Sequence, residues 1–193
     1  MKRLPLIVFA LGLAAMMIIG GCNRNVKKIE DEALKEELKK APEWVLSGDE
    51  DELFSAVGAA RIGKGGFQFA RTEAMSQGRG ELARQVAVKV KSLVNSFVQQ
   101  TGIGDAQTLD SFSKQVSKLV TDETLSGSRE KDIWVSPSSE VYVLMVLDPD
   151  VVQASLKRQV EAGFRQNSTQ WQAYQAQNGN AELDREIEKA FSQ

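Results

Sequence analysis

The only cysteine of this 193-residue chain, Cys22, stands just past an apolar run from Leu6 to Ile19, and the chain has no histidine. Those two facts constrain the fold first. Whatever folds after residue 22 has no second thiol, so neither a disulfide nor a cysteine-bound metal holds it together. Without imidazole it lacks the commonest general base and the commonest transition-metal ligand. Its stability must come from packing. The 42% hydrophobic and 26% charged composition suits a folded core and argues against wholesale disorder.

The segment before Cys22 reads as a secretory leader over residues 1–21. Lys2 and Arg3 supply a positive start, and the apolar run is too short for a comfortable membrane span. It ends in Ile19-Gly20-Gly21-Cys22, which resembles the lipobox of bacterial lipoproteins: an aliphatic residue, two small residues and the cysteine. The resemblance implies cleavage after Gly21 and acylation of Cys22, which would hold the remainder on a lipid bilayer. It also implies the outer membrane, since Asn23 stands where an aspartate commonly signals inner-membrane retention. Removing the leader takes away Lys2 and Arg3 and leaves 22 basic against 26 acidic residues, a net charge of −4. A mildly acidic chain is a poor partner for nucleic acid, because phosphate neutralisation needs a surplus of Lys and Arg.

Residues 22–41 form a charge-dense tether with partial helix, supported by pairs four apart such as Asp31/Lys35 and Glu36/Lys40. A domain is expected over residues 42–166, opening at Pro42-Glu43-Trp44-Val45. Leu53 to Ile62 reads as a buried strand, broken by Gly63, Gly65 and Gly66. A long helical pattern follows from Phe67 to about Gln100. Its second half carries a clean stripe of Ala83, Ala87, Val90, Val94 and Phe97, and its first half buries Ala70 and Ala74. Gly78 and Gly80 either admit close approach to a sheet or break this helix in two. A second helix is expected after Asp105, with Leu109, Phe112, Val116, Leu119 and Val120 on one face. Thr124–Val135 and Val141–Leu147 read as a hairpin around Ser136-Pro137-Ser138-Ser139, the first strand polar enough to form an edge. Asp148 with Pro149 caps a helix whose core face is Val152, Leu156, Val160 and Phe164. Residues 167–193 are expected to be a polar tail, irregular through the Gln/Asn-rich Gln166–Asn180, with one short final helix capped by Asn180. The order β-α-α-β-β-α predicts an α+β fold, a small antiparallel sheet packed by helices.

The constellations that suggest chemistry are weak. Gly58-Ala59-Ala60-Arg61-Ile62-Gly63-Lys64-Gly65 nearly spells a phosphate-binding loop, yet Gly65 stands where a magnesium-holding hydroxyl is required. Asp49–Glu52 is acidic but lacks the spacing and glycine of a calcium loop. No serine has a neighbouring base to activate it. The reading is therefore no catalytic residues, no metal site, no cofactor and no enzyme. Trp44 and Trp134 are the candidates for contact with a ligand or partner, with core packing as the plainer use of both.

Residues 42 to about 160 resemble the twenty-kilodalton outer-membrane lipoprotein family first described in Helicobacter. The resemblance rests on the lipobox, Pro42-Glu43-Trp44-Val45, Ala56-Val57-Gly58-Ala59-Ala60, Arg79-Gly80-Glu81-Leu82-Ala83-Arg84 and Val141-Tyr142-Val143-Leu144-Met145. Gly78 and Gly80 stand where the family usually carries alanine. The resemblance implies a small α+β domain on the outer membrane with no catalytic residues. Some relatives serve flagellar basal-disk assembly, so a structural or interaction role in the envelope is expected, with self-association and envelope or flagellar proteins as partners. A small-ligand or cell-wall glycan module at Trp44 and Trp134 is the alternative, and a nucleotide-dependent enzyme at Lys64 a distant third.

Overall fold

The computed structural model describes residues 32–49, 51–103 and 106–192. Two short helices, α1 (Glu32–Leu38) and α2 (Trp44–Ser47), precede strand β1 (Ser55–Arg61). A 36-residue helix α3 (Gly66–Thr101) follows, then α4 (Ala106–Thr124), strands β2 (Arg129–Val135) and β3 (Glu140–Val146), and helices α5 (Pro149–Arg165), α6 (Ser168–Ala176) and α7 (Gly179–Phe191). The sheet is antiparallel throughout, in the order β1-β3-β2. This is the expected α+β arrangement, with the second strand of the hairpin at its centre and the polar first strand on an edge.

The sheet has two unlike faces. Ala56, Gly58 and Ala60 of β1 lie in register with Met145, Val143 and Val141 of β3, and all six are buried against α3. Along β1 the alternation of buried and half-buried residues is strict, as a strand with one covered face requires.

α3 is continuous across Gly78 and Gly80, which settles the choice between close approach and a break. A Cβ on Gly58 would fall 1.9 Å from the carbonyl oxygen of Ala74 and 2.6 Å from the backbone nitrogen of Gly78. Glycine on the strand opposite alanine and glycine on the helix therefore lets the two backbones meet. Further along, α3 turns to bulk, with Leu82, Val86, Val90, Leu93, Val94, Phe97 and Val98 all buried. The helix stops at Gly102, whose φ of 64° is left-handed and whose N–H bonds the Val98 carbonyl at 2.9 Å.

The remaining helices gather around this bulky half. α5 begins as expected, with the Asp148 carboxylate accepting from Asp150 N and Pro149 in the first turn; Val152, Leu156, Val160 and Phe164 are buried. Other expectations need correction. The stretch from Thr124 to Ser128 is not strand: Thr124 ends α4 with its hydroxyl on the Val120 carbonyl at 2.8 Å, a 3₁₀ turn spans Leu125–Gly127, and β2 starts at Arg129. Leu119 points outward, and the covered face of α4 instead includes Ser113, Ser117 and Thr124 beside Val116 and Val120. Ser117 donates to the Ala87 carbonyl of α3 at 2.9 Å, which allows a hydroxyl in that interface. The Gln/Asn-rich segment is largely helical, because the Asn167 carboxamide accepts from Thr169 N and Gln170 N and so caps α6. Asn178, not Asn180, precedes α7. Tyr174, Leu183 and Ile187 are buried, so the packed unit runs past residue 166. Asp105 lies outside the described residues.

Candidate functional site

The face of the sheet away from α3 carries both nominated tryptophans. Trp134 sits opposite Tyr142 in the β2–β3 register, and their rings pack 5.3 Å apart at 40°. Asp132 lies two residues back on the same face and accepts from Trp44 Nε1 at 2.9 Å, which ties α2 to β2. Between Glu130 and Asp132 the register skips, leaving Lys131 as a bulge. Its ammonium reaches Asp49 at 2.5 Å and Glu52 at 2.9 Å. Those partners raise the Lys131 pKa, and Lys131 in turn holds Asp49 below the usual carboxylate range. At the hairpin, Ser138 donates to Glu37 of α1 at 2.7 Å, and hydrogen bonds from Ser136 and Ser138 lower the Glu37 pKa.

These polar groups are already engaged. The acidic turn takes up a lysine of its own chain, and among the described residues no group of three acidic side chains is disposed to hold a metal. Trp44 lines an open cavity of about 350 Å³ with Glu43, Ser47, Gly48, Asp49 and Asp51. Trp134 is not among its walls, so the two tryptophans share a face but not a pocket. The glycine-rich stretch is not a phosphate cradle: Gly58 to Arg61 is paired strand, Gly58 is pressed against α3, and Lys64 is exposed beyond it. Cys22 and Gly21 lie outside the described residues.

One cluster escaped the sequence reading. At the far end of α3, Phe97, Phe164, Tyr174 and Trp171 form a chain of ring contacts, and the Arg165 guanidinium lies 5.0 Å from the Trp171 ring. Burial, with Glu161 and Asp184 nearby, pushes the Tyr174 hydroxyl up to about 12. That hydroxyl donates to Asn180 Oδ1 at 2.5 Å, and an open cavity of about 510 Å³ lies alongside. The signal available was the three-residue spacing of Trp171 and Tyr174, which puts both on one side of a helix.

A small antiparallel sheet crossed by one long helix, with polar side chains engaged in binding the chain to itself, defines the class: an α+β domain. The model of the LPP20 lipoprotein family matches residues 42–148, and the chain belongs to that family. The match spans α2 through β3 and ends at the Asp148 cap of α5. Membership makes this a membrane-associated lipoprotein. Among curated proteins nothing matches.

Proposed function

We propose that this protein is a non-enzymatic lipoprotein of the outer membrane, acylated at Cys22, whose domain works by contact with other proteins. Its partners are further copies of itself or envelope assemblies, flagellar ones included. The observation that carries this reading is the open edge of β1. Phe54 O and Ile62 N bond to the β3 side, through Leu147 N at 3.1 Å and Ser139 O at 2.8 Å. By antiparallel alternation the even-numbered positions of β1 face β3, and Val57 and Ala59 point their N–H and C=O groups the other way. Gln85 Nε2 caps the outward carbonyl of Ser55 at 2.8 Å, and no strand among the described residues covers the rest. This edge has no charged side chain before Arg61. The β2 edge differs: it is bulged at Lys131, and Glu130, Lys131 and Asp132 are held by Arg71, Asp49 with Glu52, and Trp44. An unguarded edge accepts an extended segment of another chain, and tethering on a membrane makes weak pairing effective.

The test is Val57→Pro in the full-length protein. Proline removes an outward N–H and leaves the β1–β3 bonds intact, a substitution edge strands tolerate. Crosslinking between copies, or to envelope proteins on intact cells, is expected for the wild type and lost in the variant. Undiminished crosslinks in a folded variant, or none in the wild type, refute pairing at this edge. Mass spectrometry of the mature protein should show an acylated N-terminal Cys22.

A further inference from the structure

We infer that the hairpin end of the domain lies on the bilayer, with the tip of α3 as the contact. This rests on the reading of Cys22 as the anchored residue. The end of β1, the hairpin turn and the start of α3 converge at one place, since Ile62 N bonds the Ser139 carbonyl at 2.8 Å and α3 begins at Gly66. Phe67 and Phe69 stand on the first turn of α3, 38% and 65% exposed, and Val135 at the end of β2 is 43% exposed. Large apolar side chains left in water at one end mark a contact surface.

The occupant follows from where the chain comes from. α1 reaches this same end, because Glu37 accepts the Ser138 hydroxyl of the hairpin turn. Nine residues separate Cys22 from Glu32, so over the ten steps between them the anchor lies within about 35 Å of α1 at full extension. The lipid surface is therefore held close to the Phe67–Phe69 tip. Arg61 and Lys64 flank that tip without an ion pair among the described residues, and they suit anionic headgroups. Of the acids near this end, Glu37 and Glu140 are hydrogen-bonded to Ser138 and Tyr142 respectively, and the exposed Glu73 stands one turn of α3 beyond Phe69. Aromatic rings set among cations pack at the boundary of headgroup and acyl chain. Docked this way, the domain stands α3 away from the bilayer, a helix about 54 Å long, with the Phe97–Tyr174 end farthest from it.

The test uses the full-length, acylated protein in vesicles of phosphatidylethanolamine and phosphatidylglycerol. Acylated Cys22 has no free thiol, so Gln68→Cys and Val88→Cys each offer a single site for a nitroxide. Val88 is 71% exposed and lies about 30 Å along the helix from Phe67. At position 68, collisions with a water-soluble nickel complex should fall several-fold on reconstitution and collisions with oxygen should rise; at position 88 neither should change. Phe69→Ser should return the label at 68 towards water while the protein still floats with the vesicles. Water-like labels at both positions in a floating, acylated protein would overturn the docking and leave the anchor standing. Equal protection of position 68 in detergent, together with crosslinks between copies, would overturn it in favour of a protein contact. A reactive thiol at Cys22 and no flotation would defeat the anchor itself, and the docking with it.

Discussion

The two halves of α3 solve the same packing problem in opposite ways. The first half buries Ala70, Ala74 and Gly78 against a strand centred on Gly58, so backbone meets backbone. The second half buries Leu82 to Val98 and meets α4, α5 and α7 through full-sized side chains, with Phe97 edge-on to both Phe164 and Tyr174. Apolar burial is the driving force in both, but tolerance differs. Interlocking side chains can shift rotamers, whereas two backbones in contact have nothing to move except the elements themselves. The first half therefore fixes where the helix lies on the sheet, and the second supplies the larger buried apolar side chains of α3.

The sharpest way to break this contrast is a single methyl. Gly58→Ala puts a Cβ 1.9 Å from the Ala74 carbonyl oxygen and 2.9 Å from its carbonyl carbon, both backbone atoms. Strand and helix must separate, and a loss of more than about 4 kcal/mol is expected, read as a collapse of the urea midpoint or no cooperative transition. Phe97→Leu is the larger change in side-chain atoms, made in the other half, and should cost only about 1–2 kcal/mol, because neighbouring side chains relax into the space it leaves. If Phe97→Leu proved the worse of the two, the proposed division between rigid and adaptable halves would be wrong.

A weaker effect tests how the bulky half is closed. Glu186 of α7 is 6% exposed and accepts from Ser96 at 2.9 Å and Gln100 at 2.8 Å, both on α3. Burial alone would raise its pKa, but those two bonds, with Lys189 and Arg185, hold it below the ordinary 4.5. A folded-state pKa below the unfolded one means that the stabilisation is present above 4.5 and is lost as pH falls through the folded value. Acid should therefore loosen α7, and Glu186→Gln should flatten that part of the pH dependence of the urea midpoint. An unchanged profile would remove Glu186 from the closure.

The same contrast explains what was legible in the sequence. Side-chain periodicity announces the bulky half: Val86 to Val98 and Val152 to Phe164 recur at helical spacing, and the apolar run Val141–Leu147 reads as the central strand. The first half is silent in that language, because its key contact joins Gly58 to Gly78 across a reversal of the chain, and a glycine looks alike whether it breaks a helix or admits a strand. α6 was missed for a related reason. Its Gln-rich sequence has little apolar stripe, and it is held by the Asn167 cap and by Trp171 and Tyr174 stacking on residues of α5. At the candidate site, Trp44 and Trp134 stood out as aromatics, but their partners depend on strand register and on the bulge at Lys131, which no local pattern encodes.

The smallest expected effects separate two glycines that look equivalent in sequence. On Gly78 a Cβ would meet Met145 Cγ at 2.6 Å and the Gly58 backbone nitrogen at 3.4 Å. Alanine gains helix propensity there, but it must displace a side chain buried in the sheet, so Gly78→Ala should destabilise by about 1–2 kcal/mol net. On Gly80 a Cβ would meet nothing within 4 Å. Only the backbone term remains, and Gly80→Ala should stabilise by about 0.5–1 kcal/mol, since alanine loses less conformational freedom on entering a helix. For a chain of this size that corresponds to a rise in Tm of roughly 1–4 °C, within reach of calorimetry on the full-length protein. The opposite signs carry the argument: a gain at both positions would mean that α3 does not need to touch β1 through Gly78, and a loss at both would mean that α3 is closed in on a second side at Gly80.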